Sequence, residues 1–313
     1  MRDSAPKILL IAGDGRSGST LLSLLLNLLP GFHSVGELSY VWERGVLGNQ
    51  LCGCGRAFAV DPFWQSILGR LELPHGLALE DSARRMTAWG RAIAGVRGFV
   101  RARRATFAVP LQASLYQAVA DETGCRVVVD SSKSPGYVLS ICSSGLPVTV
   151  VHLVRDGRAV AFSNQRRKLR PEIRDSVKYM PRLGAARSAY LWCRSQLLSE
   201  MIGHLRGSTV HRLRYEDLVQ QPEPVLRWLD EIMETSAPPP TPSVADLVLG
   251  ENHLVSGNPL RFARGALKIR QDDEWRSALS QKDKFIVTAM SLPLLRRYGY
   301  PIWPRATQSG DRL

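Results

Sequence analysis

A chain of 313 residues with 44% hydrophobic side chains has enough apolar material for one large buried core, which excludes wholesale disorder. Its 41 Lys and Arg against 28 Asp and Glu leave a net charge of +13, so an anionic partner is expected: nucleic acid, an anionic membrane or a polyanionic small molecule. Five cysteines are too few for a disulfide scaffold at this length, and no apolar run near the start reaches the roughly 20 residues of a membrane span, so a cytoplasmic protein is expected.

The first element is the apolar run KILLIA, a buried strand over residues 8–12. It leads into GDGRSGST, residues 13–20, and then into a helix-like apolar stretch that Pro30 stops. Strand, glycine loop and helix form the context of a phosphate-binding loop. Glycines let backbone N–H groups converge on an anion, and the helix adds its positive end. Where such a loop carries lysine after its second glycine, this chain has Ser19. Arg16 is the cation inside the loop, and Ser17, Gly18, Ser19 and Thr20 complete it. The missing lysine counts against a typical ATPase.

After the loop helix a short connection, HSVGEL, returns the chain toward the sheet and carries His33 and Glu37. CGCG at residues 52–55 suggests a metal, but zinc needs four ligands and no second pair follows. Asp61 stands where a further thiol would have helped, and no metal is expected. Residues 75–120 read as a helical insertion: Met86, Trp89, Ile93, Val96 and Val100 form one apolar stripe with arginines around it. It packs on the core, or else caps an acceptor pocket or touches lipid.

Three further strand-like runs each end in polar residues. Residues 126–129 lead to Asp130, Ser131, Ser132 and Lys133; 148–154 to Arg155; and 209–213 to Arg214, Tyr215 and Glu216. These runs are continuous rather than alternating, as in buried parallel strands. The expectation is an α/β fold with a central parallel sheet flanked by helices, one domain over residues 1–313, with ligands at the carboxyl ends of the strands. If the chain is helical from Gly157 onward, Ser163 and Arg167 share a face, and Arg155 at the helix entrance joins them around a phosphate. APPPTP at 237–242 reads as a connector, and the late stretch HLVSGNPLRFARGALKIR gathers Ser256, Arg261, Arg264, Lys268 and Arg270.

Together, GDGRSGST, VRDGRAVAFS and RYEDL resemble the sulfotransferases that use 3′-phosphoadenosine 5′-phosphosulfate (PAPS). The style is closest to the tyrosylprotein and carbohydrate branches and to bacterial-type enzymes. The resemblance implies a P-loop sulfotransferase-like fold, PAPS as cofactor, 3′-phosphoadenosine 5′-phosphate (PAP) as product and no obligatory metal. It implies transfer to a hydroxyl or amine of a small-molecule, carbohydrate or lipid-linked acceptor, without nucleic acid. It makes the glycine loop the 5′-phosphosulfate cradle and Arg155 and Ser163 the 3′-phosphate motif. Tyr215 contacts the nucleotide. Ser256 serves the sulfuryl end, and Arg261 or Arg264 serves the 3′-phosphate. A general base must take the acceptor's proton; Glu37 is the first candidate and His33 its rival. Lys133, with Arg16 beside it, is placed to meet charge on the leaving oxygen. The competing reading is a magnesium-dependent P-loop kinase or NTPase, with Asp130 as its metal carboxylate.

Overall fold

The computed structural model describes residues 5–72, 109–173, 176–204, 209–235 and 248–302. Five strands form one parallel sheet: β1 (Lys7–Gly13), β2 (Phe32–Gly36), β3 (Val127–Asp130), β4 (Val148–Val154) and β5 (Thr209–Arg214). Their spatial order is β2-β3-β1-β4-β5. The helices are α1 (Ser19–Leu26), α2 (Pro62–Leu68), α3 (Val109–Thr123), α4 (Pro135–Cys142), α5 (Gly157–Gln165), α6 (Ala185–Ile202), α7 (Tyr215–Gln220), α8 (Pro222–Met233), α9 (Trp275–Ala278) and α10 (Gln281–Arg297).

Side chains alternate across a strand, so a run buried on both faces must be apolar throughout. Leu9 and Ile11 of β1, with Val127, Val129, Val151 and Leu153, pack against Leu22, Leu25 and Leu26 of α1 and Leu226 and Leu229 of α8. Ile8 and Leu10, with Val128 and Val150, face Leu115 and Val119 of α3, Val138 and Leu139 of α4, and Leu198 and Ile202 of α6. The four strand-like runs of the sequence are thus β1, β3, β4 and β5, the last a partly exposed edge strand (TVHRLR), and the expected parallel α/β sheet is present.

β2, the edge strand opposite β5, has no such run because His33, Ser34 and Gly36 interrupt it. Its outer side is covered by a late segment: Val255 donates to the Val35 carbonyl (2.9 Å) and accepts from the Glu37 N–H (2.8 Å). Of the expected insertion at 75–120, the last part belongs to α3; the stripe at 86–100 and the connector at 237–242 lie outside the described residues. No helix among the described residues is long and apolar enough to cross a membrane.

Candidate active site

All five strands run in one direction, so the turns at their carboxyl ends share one edge, where open α/β sheets bind ligands. A cavity of about 440 Å³ lies there. Gly15, Arg16, Gly18, Ser19 and Thr20 of the glycine loop line it, with Glu37, Arg44, Lys133, Arg155, Ser163, Lys168, Arg170, Tyr215 and Asp272 among its other walls.

The loop geometry follows from its glycines. Gly13 has φ +128°, and a Cβ there would lie 2.4 Å from the Leu153 carbonyl oxygen. Gly18 has φ +95°, and its Cβ would lie 2.4 Å from the Tyr215 ring. Arg16 takes the left-handed conformation without being glycine, φ 65°, which costs about 1–3 kcal/mol and is a feature of ligand clamps. Ser17 is turned inward, its hydroxyl donating to the Asp14 carbonyl (2.8 Å). Gly18 precedes α1 and offers no side chain to cap it, so the positive end of the helix is left available to an anion.

The lysine missing from the loop arrives from another strand. Lys133, three residues past the end of β3, donates to Ser19 Oγ (2.8 Å) and to Glu37 Oε1 (2.6 Å). Ser19 therefore accepts the cation that a lysine at its own position would have provided. Lys133 and Glu37 side chains are each only 14% exposed. Glu37 is further fixed by the Ser256 hydroxyl on Oε2 (3.1 Å), and Ser256 in turn accepts from Arg44. Burial alone would raise the Glu37 pKa, but Lys133 and Arg44 outweigh it and hold the carboxyl below its usual value.

His33 does not share this wall. It stacks near Phe63 (ring centroids 5.3 Å apart), and burial lowers its pKa to about 4. Of the two candidate bases, only Glu37 faces the cavity.

Asp130 is the device that sets Lys133 and Glu37 side by side. Its Oδ1 accepts from the Ser132 N–H (2.8 Å) and from the Leu38 N–H (3.3 Å), so one carboxylate oxygen ties the lysine turn to the glutamate turn. Its Oδ2 accepts from the hydroxyls of Tyr116 (2.7 Å) and Tyr137 (2.8 Å). Both oxygens are occupied by donors and the residue is fully buried. That is the setting of a structural carboxylate, not of one offered to a magnesium ion in the cavity.

The other end of the cavity is built on Arg155. Its guanidinium donates to the Arg16 carbonyl (3.0 Å) and to Asp272 (2.8 Å), and lies over the Tyr215 ring, 4.4 Å from its centroid. Its Nε is buried without a partner among the described residues. Ser163 accepts from Lys168 (3.2 Å). Burial and the neighbouring Arg16, Arg166 and Arg155 lower the Lys168 pKa to about 8. Crowded cations and an unpartnered buried donor describe a site shaped for an anion.

Several expectations are corrected. Arg167 is not on the helix with Ser163: α5 ends at Gln165, Arg166 is extended, and Arg167 stacks on Tyr179 (3.7 Å to the ring centroid). Lys168, which the sequence reading missed, takes its place. Arg264 does not line the cavity; its fork binds the carbonyls of Gly53 (2.6 Å) and Ala263 (2.9 Å). Arg261 is buried away from the cavity walls, donating to the carbonyls of Gly257 (3.1 Å) and Leu51 (3.4 Å) with Glu172 4.0 Å away. Ser256 acts on Glu37 and not on the cavity wall. Cys52 and Cys54, read as a pair without further ligands, meet Asp61 and His253.

No protein-family model matches the sequence, and no curated protein does. Solved structures do. The chain is similar to the sulfotransferase domain from the curacin biosynthetic pathway, with TM-score 0.54 and 17% identity over 95% of this chain and 99% of that one. It is also similar to the sulfotransferase domain of the Synechococcus PCC 7002 olefin synthase, with TM-score 0.53 and 20% identity over 97% of this chain and 98% of that one. The fold is the one those domains share.

Proposed function

We propose that the protein is a sulfotransferase that moves the sulfuryl group of PAPS to a hydroxyl or amine of a small-molecule, carbohydrate or lipid-linked acceptor. The observation that carries this reading is one cavity walled by the glycine loop on one side and by Arg155, Ser163 and Lys168 on the other, with a buried Glu37–Lys133 couple beside the loop. The shared fold with sulfotransferase domains supports the same conclusion.

When bound, PAPS supplies an activated sulfuryl group on a phosphate leaving group. The glycine loop and the start of α1 would hold the 5′ end, and Arg155, Ser163 and Lys168 the 3′-phosphate, with Tyr215 fixing Arg155 from below. Glu37, ionised because Lys133 and Arg44 offset its burial, accepts the acceptor's proton at Oε1 or Oε2. Lys133 sits between Glu37 and Ser19, within reach of both the base and the loop, and stabilises negative charge that develops at the loop.

The test is ligand-induced stabilisation followed by turnover. PAP without magnesium should raise the melting temperature, and labelled PAPS should pass label to an acceptor. Arg155→Ala should weaken PAP by about 1.5–3 kcal/mol, the worth of lost charge-assisted bonds. Stabilisation seen only with Mg-ATP would replace this reading with the kinase or NTPase one.

A further inference from the structure

Cys52, Cys54, Asp61 and His253 take no part in the cavity, yet their ligand atoms all lie within 4.8 Å of one another. We propose that these four side chains form a closed tetrahedral site for zinc that fastens the CGCG loop to the segment behind the active-site glutamate.

The distances have the right scale. Cys52 Sγ is 3.7 Å from His253 Nδ1, Cys54 Sγ is 3.3 Å from Asp61 Oδ2, and His253 Nδ1 is 3.0 Å from Asp61 Oδ2. Zinc bonds of about 2.3 Å to sulfur and 2.0–2.1 Å to nitrogen or oxygen, arranged tetrahedrally, put ligand atoms about 3.3–3.8 Å apart. Two thiols, one imidazole and one carboxylate suit zinc and not magnesium or calcium, which prefer oxygen alone.

The surroundings are those of a prepared site. Cys52–Cys54 is a tight loop: Gly55, with φ +90°, donates to the Cys52 carbonyl (2.8 Å), and the Arg56 N–H points at Cys54 Sγ (3.4 Å). Asp61 divides its labour, Oδ1 accepting from the Phe63 N–H (3.1 Å) at the start of α2 while Oδ2 faces the thiol and the imidazole. The His253 ring is held flat against Phe63, with centroids 4.3 Å apart. Cys52 and Asp61 are buried; Cys54 and His253 are partly exposed, leaving a way in for the ion. Two thiolates and a carboxylate around a dication leave one negative charge. Arg264, bound to Gly53, and Arg261, bound to Leu51, supply positive charge to the same loop. This gives those two arginines a role where the sequence suggested the 3′-phosphate.

All four coordination positions come from the protein, so the ion would be structural. Gly53 donates to the Leu254 carbonyl (3.0 Å), Val255 pairs with β2, and Ser256 binds Glu37 (3.1 Å). Fixing His253 therefore fixes the three residues that follow it. The sequence argued against a metal because no second Cys pair follows; the fourth ligand lies 192 residues beyond Asp61 and is a histidine.

The full-length protein, produced with zinc in the medium and dialysed, should contain about one zinc per chain by elemental analysis. Chelation should lower its melting temperature, and added zinc should restore it. Refilling the chelated protein with Co²⁺ should give the intense thiolate charge-transfer band and tetrahedral d–d bands. The bands and the zinc should be lost in Cys52→Ser/Cys54→Ser and in His253→Ala. A zinc-free wild-type protein that gives no thiolate band with Co²⁺ would overturn the proposal, as would full zinc retention in the double-serine variant. If the variants do not fold, the chelation and Co²⁺ measurements on the wild-type chain decide alone. None of these readouts depends on sulfuryl transfer.

Discussion

At the scale of single residues, the proposed chemistry rests on Glu37 and Lys133. Glu37→Gln keeps the shape but cannot take a proton, so kcat should fall about 10²–10⁴-fold, the usual contribution of a positioned base. PAP affinity should change little, and near-normal turnover would remove Glu37 from the role. The pH dependence has a definite sign. A depressed carboxyl pKa keeps Glu37 ionised below the ordinary glutamate range, so the acid limb of kcat/KM should fall at lower pH than a free glutamate would give. Burial, the largest influence, acts upward and Lys133 acts downward. Lys133→Met should therefore move that limb to higher pH while also lowering the rate. A limb that stays put would mean that the pair in the structure does not set the base's charge.

At the scale of elements, what was legible in the sequence was whatever local periodicity or glycine chemistry encodes. KILLIA-GDGRSGST declares strand, loop and helix because each part has its own signature, and Glu37, Arg155, Ser163 and Tyr215 all face the cavity as read. Arg167 was misread because the argument needed α5 to run two residues longer than it does. Lys168 was missed because it returns from a turn: Met180 donates to the Lys168 carbonyl (2.8 Å) and Arg170 to the Lys178 carbonyl (2.8 Å), a hairpin pairing with no apolar alternation to mark it. That hairpin carries a prediction. Lys168 has its pKa lowered to about 8 by burial and neighbouring cations, and an anion bound at Ser163 would raise it. PAP binding near pH 8 should thus take up protons and weaken as pH rises. Calorimetry in buffers of different ionisation enthalpy measures this directly. Lys168→Met should abolish the uptake; uptake unchanged in that variant would place Lys168 outside the phosphate site.

At the scale of the whole molecule, the residues that complete the site come from both ends of the chain, and no local pattern announces such a meeting. Ser256 was read as serving the sulfuryl end, but its bond to Glu37, 219 residues away, and the partners of His253 and Val255 on the CGCG loop and β2 were not legible. Val255 tests how much the late segment supports the sheet edge. Val255→Pro deletes the N–H that satisfies the buried Val35 carbonyl, and the unfolding free energy should drop by about 1–3 kcal/mol in a denaturant titration. An unchanged midpoint would mean that the edge of β2 stands without it. The same long reach has a consequence in time. Glu37 leaves the ribosome well before Ser256 and Val255, and at about 5–20 residues per second the wait is roughly 10–45 s. During that interval the nascent sheet has an uncovered edge and Glu37 lacks its Ser256 partner, so the late segment decides when the cavity wall around Glu37 is complete.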